Sequence, residues 1–192
     1  MAATTSTMLE LGTPAPEFNL HAPMQDRNFS LDDFRGDPLL VIFMCNHCPY
    51  VQHILKGLAA FEQDFVPRGL HIVAINSNDI EAYPSDGPKN MIELAKYYQL
   101  EFPYLLDETQ QVARDYKAAC TPDFFLFNQE AILDYRGEFD GSRPRNDVPV
   151  SGDSLRRATE AVLAGVEPDR DQTPSLGCSI KWRVGEEPDY LR

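Results

Sequence analysis

The sequence has little positive charge for its length. Among its 192 residues, 17 are Lys or Arg and 30 are Asp or Glu, which gives a formal net charge of −13 at pH 7. Nucleic acids and anionic membranes both require a positively charged surface on a protein that binds them. We therefore expect neither as a partner, and we attribute the charge to solubility.

Cysteines are few, and long hydrophobic segments are missing. Four cysteines are too few for a fold held together by disulfides. The longest apolar segment, residues 38–45, has the length of a strand and falls far short of the ~20 residues of a membrane helix. The first residues lack the basic start and apolar stretch of a secretory signal. These observations predict a cytoplasmic protein whose thiols stay mostly reduced.

The remaining pattern alternates strands with helices. Residues 39–44 and 70–75 are continuous apolar runs, which are typical of strands buried on both faces of a sheet. The predicted strands cover residues 18–20, 28–30, 39–44, 70–75, 103–106, 123–127 and 132–136. The predicted helices cover 51–65, 90–99, 109–117 and 152–165, the last with Ser151 as its N-cap. This order predicts an α/β fold with a central mixed β-sheet flanked by helices, and with an N-terminal β-hairpin.

The chain is expected to form one domain, over residues 14–165. Residues 1–13 are small and polar, and predict a flexible leader. Residues 166–192 show little periodicity, and we expect this tail to pack on the domain through Ile180 and Trp182.

The motif Cys45-Asn46-His47-Cys48 lies between a buried strand and a long helix. At a helix N-terminus, unpaired N–H groups and the helix dipole stabilise a thiolate, which is the nucleophilic form of cysteine. We expect Cys45 to occupy that position and to attack a partner disulfide, and Cys48 to resolve the mixed disulfide. His47, when protonated, would stabilise the Cys45 thiolate further and lower its pKa.

Three segments resemble a known family: residues 11–18, 45–49 and 120–127. Together with the buried strand, they are similar to the thioredoxin-like branch of the alkyl hydroperoxide reductase and thiol-specific antioxidant (AhpC/TSA) superfamily, over roughly residues 10–165. The resemblance implies a thioredoxin-like fold and an antioxidant or redox-homeostasis role. It also implies a cis peptide bond before Pro122, facing the CxxC motif, with the Thr121 backbone binding a substrate peptide.

The motif departs from both branches of this superfamily. Met44 stands where thioredoxins have an active-site tryptophan. Peroxiredoxins carry Pro-x-x-x-Thr-x-x-Cys, and alignment on Cys48 puts Val41 at the proline and Cys45 at the threonine. The second departure favours dithiol chemistry over direct peroxidase chemistry.

The sequence therefore predicts a thiol–disulfide oxidoreductase that uses a reversible Cys45–Cys48 disulfide and needs no cofactor or metal. Its substrate would be a protein or small-molecule disulfide or a peroxide, and a thioredoxin- or glutathione-type system would reduce it. One alternative is a peroxiredoxin-like peroxidase in which Cys48 attacks the hydroperoxide and Cys45 resolves it. A second is a metal-binding module with Cys45, Cys48 and either His47 or Cys178 as ligands.

Two cysteines lie outside the motif. Cys120 directly precedes Thr121-Pro122, and we expect it to pack in the core as a small apolar residue. Cys178 lies in a short apolar stretch of the tail, and a regulatory disulfide between it and Cys120 is left open.

Overall fold

The computed structural model describes residues 3–191 as two β-sheets with four α-helices. The strands are β1 (Ala3–Thr5), β2 (Asn19–Ala22), β3 (Arg27–Ser30), β4 (Leu39–Phe43), β5 (His71–Asn76), β6 (Tyr104–Leu106), β7 (Cys120–Thr121), β8 (Asp123–Phe127), β9 (Leu133–Gly137) and β10 (Leu176–Ser179). The helices are α1 (Pro49–Phe65), α2 (Pro88–Tyr98), α3 (Gln111–Asp115) and α4 (Asp153–Leu163). Short 3₁₀ turns form at Leu31–Phe34, Val66–Arg68, Pro84–Asp86 and Asp189–Leu191.

The larger sheet has seven strands in the order β3-β2-β6-β5-β4-β8-β9. Strands β4, β5 and β6 run parallel, whereas β8 pairs antiparallel with β4, and β9 pairs antiparallel with β8. Strands β2 and β3 form an antiparallel hairpin at the opposite edge. The predicted mixed sheet and N-terminal hairpin are therefore confirmed.

Each face of this sheet carries its own hydrophobic core. Alternate side chains of β4 point to opposite faces, so Leu40 and Ile42 join one core while Val41 and Phe43 join the other. Side chains from α1, α2 and α4 complete the first core, and those from α3 and the N-terminal segment complete the second. This double coverage is why β4 reads as a continuous apolar run.

The smaller sheet joins the predicted leader and the predicted tail to the domain. Strand β10 lies between β1 and β7 and pairs antiparallel with both. The prediction of a loose leader is therefore wrong for residues 3–13, where β1 is paired and Leu9 is buried; residues 1–2 lie outside the described residues. In the tail, Ile180 is buried and Trp182 packs against the second core.

The last helix begins one residue later than predicted. Its N-cap is Gly152 and not Ser151. The carboxylate of Asp140 accepts hydrogen bonds from the N–H groups of Ser151 (2.7 Å) and Gly152 (2.6 Å). Asp140 thus holds the backbone just before the helix, while the Ser151 hydroxyl oxygen accepts a hydrogen bond from the N–H of Asp153 at 3.3 Å.

No helix within residues 3–191 combines the length and apolar character needed to cross a membrane.

Candidate active site

The CxxC motif lies where β4 ends and α1 begins. Helix α1 has Pro49 at its first position and Cys48 as its N-cap, while Cys45 lies three residues earlier in the segment that follows β4. Proline suits the first helical position because its fixed φ matches the helix and its missing N–H is not needed there. The prediction that Cys45 occupies the helix N-terminus is therefore wrong, since Pro49 starts the helix after the second cysteine.

Both motif thiols contact the residue before a cis proline. The Thr121–Pro122 peptide bond is cis, as the family resemblance implied. The Cys48 thiol donates a hydrogen bond to the Thr121 carbonyl oxygen at 3.1 Å. The Cys45 sulfur lies 3.5 Å from the Thr121 hydroxyl oxygen. Thr121 thus contacts both sulfurs beside the N-terminus of α1.

The electrostatics of the pair reverse the predicted order of acidity. A hydrogen bond from the Cys45 thiol lowers the pKa of Cys48 to about 5, against the cost of burial, with further help from Thr121 and from the backbone of Val51 and Cys178. The same hydrogen bond raises the pKa of Cys45, and burial and the Asp86 carboxylate raise it further. This direction is opposite to the predicted one, in which Cys45 has the lower pKa and acts as the nucleophile.

The pKa of Cys48 predicts the pH profile of its alkylation. Because only the thiolate reacts, the rate with iodoacetamide should rise with pH, with a midpoint at about 5, and reach a plateau near neutral pH. Peptide mapping by mass spectrometry assigns the modified cysteine. Cys45→Ala, which removes the donor, should move the midpoint upward, whereas Cys45→Ser should retain part of the shift. A wild-type midpoint near the ordinary value of 9.0 would contradict the assignment.

His47 pairs with a buried carboxylate beside the motif. A ring nitrogen of His47, Nδ1, lies 2.6 Å from Oδ2 of Asp86, and the ring stacks on Tyr83 with centroids 5.5 Å apart. Asp86 is fully buried and also accepts hydrogen bonds from the N–H of Asn46 (2.8 Å), the N–H of His47 (3.2 Å) and Nδ2 of Asn78 (2.8 Å). The carboxylate therefore fixes both the His47 ring and the backbone between the two cysteines.

Sequence reasoning missed Asp86, although a signal was available. It lies in the polar loop after β5, and β5 runs parallel to β4. The carboxyl ends of neighbouring parallel strands meet at one edge of a sheet, which is where α/β proteins place their sites. Polar residues that follow β5 could therefore have been assigned to the neighbourhood of the CxxC motif.

A three-residue group of possible metal donors occurs here, but its donors are already in use. Ligand atoms of Cys45, His47 and Asp86 lie within 4.8 Å of one another. A carboxylate offers about four lone-pair sites, and four hydrogen bonds already occupy those of Asp86. The geometry thus favours a histidine–aspartate pair over a metal site.

The edge of Thr121 that was predicted to bind a substrate peptide is paired with the tail in this structure. Cys178 of β10 lies directly opposite Thr121. A Cβ atom at Gly177 would lie 2.0 Å from the Thr121 carbonyl oxygen, so only glycine permits this approach. Cys45 and Cys48 are 1% and 0% exposed, and the site is closed.

Cys120 is fully buried, and its thiol contacts the Pro122 carbonyl oxygen at 3.6 Å. It pairs with Ser179, one position along from the pair formed by Cys178 and Thr121. Successive side chains of a strand point to opposite faces, so the Cys120 and Cys178 side chains diverge. This arrangement disfavours the disulfide between them that the sequence left open.

A mixed sheet, a CxxC motif at the start of the helix after its central strand, and a cis proline facing that motif define a thioredoxin-like thiol protein. Residues 11–136 match the model of the AhpC/TSA family. The chain belongs to this family, as its motifs indicated.

Individual relatives agree with this class. A crystal structure of an uncharacterized conserved protein from Geobacillus kaustophilus is 45% identical, with a TM-score of 0.94 over 96% of this chain and 98% of that one. The thiol-disulfide oxidoreductase ResA of Geobacillus thermodenitrificans is 25% identical over 80% of this chain and 82% of its own. A thiol:disulfide interchange protein of the thioredoxin family from Chlorobium tepidum TLS shares the fold, with 18% identity and a TM-score of 0.62 over 80% of this chain and 98% of its own.

Proposed function

We propose that the protein is a thiol–disulfide oxidoreductase whose working couple is Cys45 and Cys48. The observation that carries this proposal is the convergence of both sulfurs on Thr121, beside the start of α1. Because both sulfurs contact Thr121 and lie in one buried core, we expect a disulfide between them to need little movement of β4 and α1. Similarity to ResA supports the same class of reaction.

In the proposed reaction, Cys48 attacks first. Its thiolate attacks one sulfur of a substrate disulfide, and the other sulfur leaves as a thiolate. Cys45 then loses its proton and attacks the Cys48 sulfur, which forms the Cys45–Cys48 disulfide and releases the second substrate thiolate. An external thiol reductant, of the thioredoxin or glutathione type, returns the couple to two thiols. This order reverses the roles expected from the sequence.

In the proposed reaction, the neutral form of His47 accepts the proton of Cys45. A ring nitrogen of His47 lies within 4.8 Å of the Cys45 sulfur, and Asp86 holds the ring in position. A histidine oriented by a carboxylate is a common arrangement for activating a neighbouring nucleophile. His47 thus retains a role at the site, now in the resolving step.

Disulfide mapping tests the couple directly. The reduced protein is treated with glutathione disulfide, quenched with acid and alkylated, and its peptides are mapped by mass spectrometry. We expect a Cys45–Cys48 disulfide that dithiothreitol reverses, and turnover of glutathione disulfide when reductant is supplied. If Cys45 and Cys48 both remain alkylatable while glutathione disulfide is consumed, the proposal fails.

A second candidate, reduction of hydroperoxides, is favoured by the closed site. Cys48 combines full burial with a pKa of about 5, and a small peroxide reaches a buried thiolate more easily than a protein disulfide does. Attack by the Cys48 thiolate would break the O–O bond, leaving Cys48 as a sulfenic acid and releasing an alcohol or water. Attack by Cys45 on the Cys48 sulfur would then form the disulfide and release water. Dimedone labelling of Cys48 in Cys45→Ser after peroxide treatment, with rates compared for peroxide and glutathione disulfide, separates the two candidates.

Opposite shifts in redox potential are expected for the two members of the histidine–aspartate pair. When His47 is protonated, His47→Ala removes a positive charge near Cys45 and should make the disulfide less oxidising, whereas Asp86→Asn removes the carboxylate charge and should make it more oxidising. We expect tens of millivolts each way, since ~30 mV corresponds to a tenfold change in the equilibrium constant of a two-electron couple.

Glutathione equilibration at one pH measures these potentials. Both variants break the same 2.6 Å contact, so a purely structural effect would shift them in the same direction. His71→Ala is the control, because His71 is half-exposed at the start of β5, at the other end of that strand from the site. Shifts of equal sign would contradict the electrostatic argument.

The cytoplasmic location and the lack of nucleic-acid and membrane partners stay predictions.

A further inference from the structure

The tail strand β10 takes the place that a substrate strand would occupy beside the cis proline. It pairs antiparallel with β7 so that Cys178 faces Thr121, and its other edge is held by β1, where Cys178 pairs with Ala3. Because Gly177 has no side chain, β10 can approach the Thr121 carbonyl group closely. The strand is therefore fixed on both edges against the active site.

The register of β10 directs the Cys178 side chain toward the motif cysteines. Residues directly opposite each other in an antiparallel pair point to the same face. The Thr121 side chain points toward Cys45, whose sulfur is 3.5 Å from its hydroxyl oxygen, so Cys178 points to that face too. Cys45, Cys48 and Cys178 accordingly share one buried core.

The contacts of Cys48 show which motif cysteine Cys178 meets. The Cys48 thiol hydrogen-bonds to the carbonyl group of Thr121, the residue opposite Cys178. Burial, and then the interaction with Cys48, raise the pKa of Cys178 to about 11, which agrees with this placement. Cys45 and Cys178 thus both lie beside Cys48 around Thr121.

We propose that Cys178 is a third redox cysteine that exchanges with the Cys45–Cys48 disulfide to form a Cys48–Cys178 disulfide. This inference rests on the proposed function of the motif. The Cys178 thiol loses its proton and attacks the sulfur of Cys48; the Cys45–Cys48 bond breaks, the Cys48–Cys178 bond forms, and Cys45 leaves as a thiolate that takes up the proton. The exchange needs no further oxidant, because one disulfide replaces another.

The same geometry makes Cys178 a second resolving cysteine. When Cys48 carries a mixed disulfide, attack by Cys178 on Cys48 releases the bound thiol just as attack by Cys45 does. The protein is therefore expected to clear a mixed disulfide even when Cys45 is absent. A protein with only the two motif cysteines would accumulate the mixed disulfide once Cys45 is removed.

Trapping with glutathione disulfide tests this expectation. Reduced Cys45→Ser should form the Cys48–Cys178 disulfide and hold at least tenfold less glutathione on Cys48 than the double variant Cys45→Ser/Cys178→Ser, as read by intact mass and peptide mapping. Cys120→Ser in the Cys45→Ser background is the matched control, because its side chain points to the opposite face, and it should behave like Cys45→Ser alone. Mapping of the oxidised wild type should show both Cys45–Cys48 and Cys48–Cys178 peptides, which requires no substitution.

The outcomes separate this inference from the proposed function. If Cys45→Ser and the double variant hold equal amounts of glutathione on Cys48, and oxidised wild type shows only the Cys45–Cys48 bond, the role of Cys178 is overturned while the couple stands. If the double variant binds no glutathione at Cys48 and the wild type forms no disulfide at that residue, the proposed function fails together with this inference.

Discussion

Replacing Cys48 by serine is expected to lower the rate of thiol–disulfide exchange by on the order of 10³-fold or more, the scale on which loss of a covalent nucleophile acts in enzymes. Cys48 is the N-cap of α1, and the hydrogen bond from Cys45 lowers the pKa of Cys48, which favours its thiolate form. A serine hydroxyl at the same place remains protonated. The rate of glutathione-disulfide reduction, measured at saturating reductant, checks this loss.

The matched variant is Cys45→Ser, which keeps a hydrogen-bond donor beside Cys48. Its first step, formation of the mixed disulfide at Cys48, should proceed at nearly the wild-type rate in a single-turnover measurement. Cys120→Ser should leave both steps unchanged, because Cys120 points away from the tail cysteine and contacts Pro122 instead. A Cys48→Ser variant that still formed mixed disulfides through Cys45 would restore the order predicted from the sequence.

Gly177→Ala is expected to destabilise the protein and to open the site. The added Cβ would lie 2.0 Å from the Thr121 carbonyl oxygen, which is backbone and cannot rotate away. Overpacking of this kind costs about 1–3 kcal/mol, and here the strain is relieved when β10 moves off β7. Thermal unfolding should show a lower Tm for the reduced protein, and alkylation of Cys48 should become faster.

A second glycine provides the control for this prediction. At Gly141 an added Cβ meets only a Val148 methyl carbon at 3.9 Å, an ordinary contact, so Gly141→Ala should leave the Tm and the alkylation rate close to the wild-type values. Equal alkylation rates for Gly177→Ala and the wild type, despite a lower Tm, would show that β10 does not restrict access to the thiols.

The sheet, the CxxC motif and the cis proline could be predicted because each leaves a local pattern. The buried strands β4 and β5 read as continuous apolar runs, and the motif and Thr121-Pro122 are short, specific sequences. The start of α1 was misplaced even though Pro49 marks the first position of a helix. The predicted position of Cys45 follows the usual arrangement of CxxC motifs, in which the first cysteine lies at the helix N-terminus, and it disregards the proline.

Other features of the site depend on contacts that no local pattern shows. Asp86 is one of many acidic residues in polar loops, and only the tertiary fold buries it against His47. Strand β10 is four residues long, lies in a polar tail and pairs with β1, which is distant in sequence. The roles of Gly177 and Cys178 depend on the Thr121 backbone opposite them, and this contact leaves no pattern in the sequence.

The position of β10 in the chain also sets the order in which the site is completed during synthesis. Cys178 follows Cys48 by 130 residues, counted as 178 minus 48. At about 5–20 residues per second, a ribosome needs on the order of 10 s to reach it. Over that interval a nascent chain has both motif cysteines but lacks the strand that covers them. The two motif thiols are therefore uncovered until β10 has been synthesised. The site closes only when that strand pairs with β7.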